Sequence, residues 1–128
     1  MEDLGLHKTR KGLARIWHAT RYSVDGIKSG WNETAFRQEL ICAVFLIPCA
    51  LIIGKSWIEQ SLLIGSVIAV MVVELLNTAI ESTIDRIGPE WHTLAKRAKD
   101  MGSAAVLLTL VWSIATWSGA LYAFFSMN

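Results

Sequence analysis

The sequence predicts an all-α membrane protein in which one surface helix precedes three transmembrane helices. Of its 128 residues, 53% are hydrophobic, which is above the share in an ordinary soluble domain. Three apolar segments reach the roughly 20 residues that a helix needs to cross a bilayer. Upstream of them, apolar residues recur every three or four positions among basic residues. The length fits a single domain, predicted over residues 1–128.

The first predicted element is an amphipathic helix over about residues 8–31. Its apolar residues recur at helical spacing from Leu13 to Trp31, and Gly26 and Gly30 weaken the helix towards its end. Positive side chains lie among the apolar ones: Lys11, Arg15, Arg21 and Lys28. This pattern predicts a helix that lies in the headgroup plane of a membrane. A helix packed in a soluble core is the less favoured alternative.

The three transmembrane helices are predicted over residues 35–54, 58–87 and 101–125. The second differs from the others because it carries a stripe of polar residues in its second half. The third is the most apolar, since no charged residue follows Asp100. The polar stretch 88–99 opens with Gly-Pro and predicts a loop that holds a short helical turn.

Basic residues are distributed unevenly around the three spans. Seven lysines and arginines precede or open the first span, whereas only Lys55 lies between the first and the second. Four lie at the end of the second span or between it and the third, and none follows the third. The positive-inside rule then predicts a cytoplasmic N-terminus, a cytoplasmic second loop and an outside C-terminus.

The polar stripe of the second span is the strongest functional signal in the chain. At about 100° per residue, Glu74, Asn77, Glu81 and Asp85 fall within roughly a quarter of the helix circumference. A carboxylate in a membrane segment costs about 2.5–3.5 kcal/mol on insertion scales. Burying two acidic side chains costs free energy and does not by itself stabilise a fold. The stripe therefore indicates a reaction centre or an ion path.

The third span opens with a second set of polar residues, and these complement the polar stripe of the second span. Clustered carboxylates beside a lysine at a water boundary suggest a divalent cation and a phosphorylated ligand. A lysine such as Lys99 neutralises phosphate as a point charge. The sequence contains no G-x-x-x-x-G-K-[ST] phosphate loop, so any ATP site is of an unrelated kind.

Three segments of the chain carry a resemblance to a known family. They are residues 31–39 (WNETAFRQE), 73–88 (VELLNTAIESTIDRIG) and 97–106 (RAKDMGSAAV). They closely resemble the bacterial integral-membrane diacylglycerol kinases, a family that includes undecaprenol kinases. The resemblance implies a homotrimer with active sites shared between neighbouring subunits at the cytoplasmic membrane face.

The same resemblance implies a role for individual residues. Glu74 corresponds to the general base, and Glu33 and Glu81 to the ligands of a Mg²⁺ ion that bridges the ATP phosphates. Asn77, Lys99 and Asp100 belong to the same catalytic centre. The implied nucleotide-binding residues are Arg15, Tyr22, Glu33, Glu81, Glu90, Trp91, His92, Lys99 and Asp100. The implied lipid-substrate residues are Trp31, Ala35, Phe36, Arg37, Gln38, Glu39, Glu74 and Ser103.

The predicted function is therefore that of a lipid kinase in the bacterial inner membrane. It would transfer the γ-phosphoryl group of ATP to diacylglycerol and give phosphatidate at the cytoplasmic face. No nucleic acid is expected as a partner. Two alternatives stay open from the residues: an undecaprenol kinase with the same chemistry, and a small proton-coupled transporter in which Glu74 and Glu81 relay protons.

Overall fold

The computed structural model describes residues 12–127, and four α-helices account for most of that range. They are α1 (Leu13–Trp31), α2 (Thr34–Ile53), α3 (Trp57–Ile87) and α4 (Thr93–Ser126). Within the described range, α2, α3 and α4 are each long and apolar enough to cross a membrane. The predicted all-helical membrane fold with three spans is thus confirmed. The predicted start of the surface helix at residue 8 lies outside the described residues.

The helix ends agree with the sequence-based bounds except at the start of α4. The bounds of α2 and α3 fall within one residue of the prediction. In contrast, α4 begins at Thr93 and not at residue 101, so the predicted short turn is the first part of a longer helix. His92 starts it, because its Nδ1 accepts a hydrogen bond of 3.1 Å from the Leu94 N–H.

The described chain separates into two compact units. One contains α1 and ends at Asn32, and the other begins at Glu33 and contains α2, α3 and α4. Most side chains of α1 are exposed, and Gly30 is its buried residue. The placement of α1 at a membrane surface stays a prediction.

In the second unit, α3 is the central helix and packs against both α2 and α4. The core contains Ala43 and Ala50 from α2, Leu63 and Val67 from α3, and Trp117 from α4. Small side chains on α2 let α3 approach closely, which is how helices associate in a membrane. The apolar core therefore fixes α3 between its two neighbours.

A pair of serine hydroxyls adds a polar link between α3 and α4 near the middle of the bundle. Ser113 Oγ donates to Ser66 Oγ over 3.2 Å, and Ser66 Oγ donates to the Leu63 carbonyl over 2.8 Å. Ser66 is fully buried. Because both hydroxyls find partners, this link satisfies polar groups that would otherwise be unpaired in an apolar surrounding.

The turn between α2 and α3 is tight and has its own hydrogen bonds. Ser56 Oγ accepts the Glu59 N–H over 3.2 Å, and Glu59 Oε2 accepts the Lys55 N–H over 2.8 Å, much as in a capping box. Gln60 Nε2 donates to the carbonyls of Leu51 and Gly54. These bonds pair backbone groups that helix ends leave free.

Replacing Gly54 by alanine is expected to destabilise the fold by about 1–3 kcal/mol, since overpacking strains the surrounding structure. A Cβ at this position would lie 2.6 Å from Gln60 Cγ and 2.9 Å from the Ala50 carbonyl oxygen. The free energy of unfolding in detergent micelles measures the effect. Gly65→Ala is the matched control, because a Cβ there meets no atom within 4 Å. Equal stability of the two variants would contradict the close packing around Gly54.

Candidate active site

The polar face of α3 runs from the interior of the bundle to the exposed end of the helix. Glu74 and Asn77 are buried, with 8% and 9% of their surface exposed. One turn further on, Glu81 is exposed, as is Asp85. The predicted stripe therefore runs from the buried interior of the bundle to exposed positions along a single helix.

Carboxylates from α2 converge on this face. Glu74 lies within direct electrostatic range of both Glu33 and Glu81. Glu39 on α2 lies within the same range of Glu74. Glu33 is the residue that precedes the first turn of α2. Glu74 therefore interacts electrostatically with the two other acids of the predicted centre, and Glu39 interacts with Glu74 in turn.

The start of α4 contributes positive charge at the exposed end of the same face. Lys99 Nζ lies 2.9 Å from Asp85 Oδ1, and Lys99 also interacts electrostatically with Glu81. Asp100 forms an ion pair with Lys96 one turn away on the exposed surface of α4. Lys99 therefore faces the acids Glu81 and Asp85, whereas Asp100 pairs with Lys96 on the surface of α4.

The α3–α4 loop holds the predicted nucleotide positions Glu90, Trp91 and His92, all of them exposed. They border a cavity of about 570 Å³ between the end of α3 and the first turns of α4. Its walls are largely apolar and include Ile84 and Leu94. A volume of this size suits a small-molecule ligand.

The predicted lipid-side residues divide between a groove, the helix interior and the surface. A groove of about 320 Å³ runs along α2, and Ala35, Gln38 and Glu39 line it. Phe36 is 2% exposed and packs inside instead. Ser103 is exposed on α4. The remaining lipid-side position on α2 is Arg37, which is half-buried.

Three predicted residues lie on α1, in the other compact unit. They are Arg15, Tyr22 and Trp31, and all three are exposed. Their predicted contacts with nucleotide or lipid stay predictions.

The structure buries Gly102 on α4 directly against Asn77, a contact for which no sequence pattern predicted a role. An isolated glycine inside a helix weakens it by about 1 kcal/mol relative to alanine, so it often marks a close approach. The isolated glycine was visible in the sequence, but the sequence did not show that it packs against Asn77.

The donor set of this face fits a magnesium ion carried by a nucleotide. Among residues 12–127, no three His, Cys, Asp or Glu side chains are arranged as a metal cage. Mg²⁺ is usually bound by one or two carboxylates together with phosphate oxygens and water. Exposed Glu33 and Glu81 beside buried Glu74 offer that kind of partial coordination.

Comparison with known proteins places the chain in a family. The family model for prokaryotic diacylglycerol kinase matches residues 21–121. The diacylglycerol kinase of Haemophilus influenzae is 47% identical, over 91% of this chain and 99% of the relative. That of Escherichia coli K12 is 46% identical over 89% and 94%, and that of Helicobacter pylori 26695 is 42% identical over 98% of each. By these matches, which cover most of its length and include the polar faces of α3 and α4, this chain belongs to the prokaryotic diacylglycerol kinase family.

Proposed function

We propose that this protein transfers the γ-phosphoryl group of ATP to the hydroxyl of diacylglycerol and forms phosphatidate and ADP. The proposal rests on the increase in side-chain exposure along α3, from buried Glu74 to exposed Glu81 and the Lys99–Asp85 pair. A lipid hydroxyl can reach the buried end from the bilayer, and a nucleotide can reach the exposed end from water. The relatives named diacylglycerol kinase support this choice of acceptor.

In the proposed reaction, Glu74 acts as the general base. Its carboxylate accepts the proton of the lipid hydroxyl while the hydroxyl oxygen bonds to the γ-phosphorus. The bond between the γ-phosphorus and the bridging oxygen breaks, and ADP leaves with that oxygen. Phosphoryl transfer depends chiefly on positioning and charge stabilisation. Lys99 supplies positive charge, and Asn77 and Asp100 complete the proposed catalytic set.

The proposed metal ligands are Glu33 and Glu81. A bound Mg²⁺ would neutralise charge on the β- and γ-phosphates. Both carboxylates lie near Glu74 and both are exposed, so a nucleotide can approach them from water. Glu90, Trp91 and His92 are proposed to contact the nucleotide from the α3–α4 loop, and Arg15 and Tyr22 from α1.

The proposed setting is the bacterial inner membrane, with the α3–α4 loop in the cytoplasm and the C-terminus outside. The uneven distribution of basic residues supports this orientation. We also propose a homotrimer whose neighbouring subunits share each active site. The family resemblance supports the assembly, and α4 buries only Gly102 and Trp117 within a single chain.

The proposed activity is tested by incubating the purified protein in mixed micelles with radiolabelled ATP and dioleoylglycerol. We expect magnesium-dependent label in phosphatidate. Undecaprenol is tested as acceptor in parallel, and ATP-independent proton flux is measured in vesicles. Label in undecaprenyl phosphate alone would reassign the acceptor. Proton flux without labelled lipid would support the transporter alternative and reject the kinase.

Replacing Glu74 by glutamine is expected to lower kcat by about 10²- to 10⁴-fold, since the proton acceptor is lost. Nucleotide binding, measured by calorimetry, is expected to survive. The matched control is Glu59→Gln at the other end of α3, where the side chain makes a helix-cap bond to the Lys55 N–H. Retention of turnover in the Glu74 variant would reject the base assignment.

Replacing Glu33 or Glu81 by glutamine is expected to raise the Mg²⁺ concentration needed for half-maximal activity, at least about tenfold. The reason is that a neutral amide is a weaker ligand than a carboxylate for this ion. A magnesium titration at saturating ATP measures the shift. An unchanged midpoint in both variants would count against metal ligation by these residues.

A further inference from the structure

Asn77 has an unusual environment for a buried amide. It is 9% exposed, and its Oδ1 has no hydrogen-bond partner among the described residues. A buried acceptor without a partner is normally selected against, because it loses its bonds to water and gains none. The carboxamide is therefore held in this position by packing and not by a hydrogen bond to the carbonyl.

Gly102 supplies that packing. Among the atoms nearest to a Cβ placed on Gly102, the first three all belong to Asn77, in the order Oδ1, Cγ at 3.3 Å and Cβ at 3.8 Å. The Oδ1 atom would overlap such a Cβ outright. The carbonyl of Asn77 therefore occupies the space that a side chain would fill, against the Cα–H of Gly102, a contact that is weakly favourable.

The orientation of the carboxamide follows from this contact. The carbonyl oxygen and the amide nitrogen share one carbon and diverge from it, so fixing the oxygen also fixes the nitrogen. The nitrogen is not among those three nearest atoms, so it lies farther than the oxygen from the Cβ position of Gly102. Asn77 lies between Glu74 and Glu81 on one face of α3, so these two acids flank its amide along the helix.

We propose that Gly102 is a positioning residue for phosphoryl transfer. By carrying no side chain, it lets α4 clamp the Asn77 carbonyl and aims the amide donors into the centre formed by Glu74 and Glu81. The proposal rests on the kinase function proposed above. It assigns Gly102 no contact with substrate.

The test compares Gly102→Ala with two matched glycine variants, Gly65→Ala on α3 and Gly119→Ala on α4. A Cβ at either control position meets no atom within 4 Å. In Gly102→Ala, kcat is expected to fall about 10- to 100-fold, because small misplacements of reacting groups have effects of this size. KM for ATP and for the lipid is expected to change less than about threefold. The controls are expected to keep wild-type kcat.

A double-variant comparison separates positioning from general packing. In an Asn77→Ala background the obstructing carboxamide is gone, so adding Gly102→Ala is expected to change kcat less than about twofold. The same fall in both backgrounds would overturn the proposal. If Gly102→Ala fails to fold, the double variant is expected to fold. If neither the single nor the double variant folds, Gly102 serves helix packing alone. That outcome would also overturn the proposal.

A measurement that does not require catalytic turnover tests the role of Gly102 separately from the proposed kinase function. The side-chain amide signal of Asn77 in a nitrogen–proton NMR spectrum is assigned by its loss in Asn77→Ala. It is expected to shift in Gly102→Ala and to stay in place in both glycine controls. An unmoved signal would reject the role of Gly102 even in an active kinase. A wild-type protein with no lipid kinase activity would instead reject the proposed function.

Discussion

A carboxylate buried between membrane helices needs compensation, and the arrangement of this bundle depends on that constraint. Glu74 is almost fully buried, and its charged neighbours Glu33, Glu39 and Glu81 have the same sign. An ionised carboxylate away from water is tolerated when it is paired or ligated. Acids of one sign around a buried acid therefore favour a cation and its nucleotide as the missing partners. The proposed binding of such a ligand would therefore give a reason for this cluster that the stability of the fold does not.

The antiparallel order of the helices places all of this chemistry at one end of the second unit. There, the start of α2, the second half of α3 and the start of α4 meet. The other end holds the tight turn with Gly54, Ser56 and Gln60, where the hydrogen bonds serve to close helix ends. The hydrogen bonds that close helix ends and the candidate site thus lie at different ends of the same three helices.

Close contacts between α3 and α4 extend from the middle of the bundle to the end that holds the candidate site. Without a strong hydrophobic drive in lipid, membrane helices associate through small residues and a few polar contacts. The Ser66–Ser113 hydroxyl pair and the Gly102–Asn77 contact are of this kind. The first joins the helices in mid-bundle, and the second brings α4 against the polar face of α3. The packing that stabilises the bundle also sets the geometry of the candidate site.

The sequence by itself determined the spans and the polar face, because both depend on local periodicity. Helical spacing alone puts Glu74, Asn77 and Glu81 on one side of α3, and hydropathy alone located α2 and α3. Hydropathy could not locate the start of α4, since its first two turns are polar and begin at the His92 cap. Only the tertiary structure decided which side chains meet across helices. Lys99 contacts Asp85, 14 positions away, and Gly102 meets Asn77. Such pairs depend on the register between two helices, which no periodicity within either helix specifies.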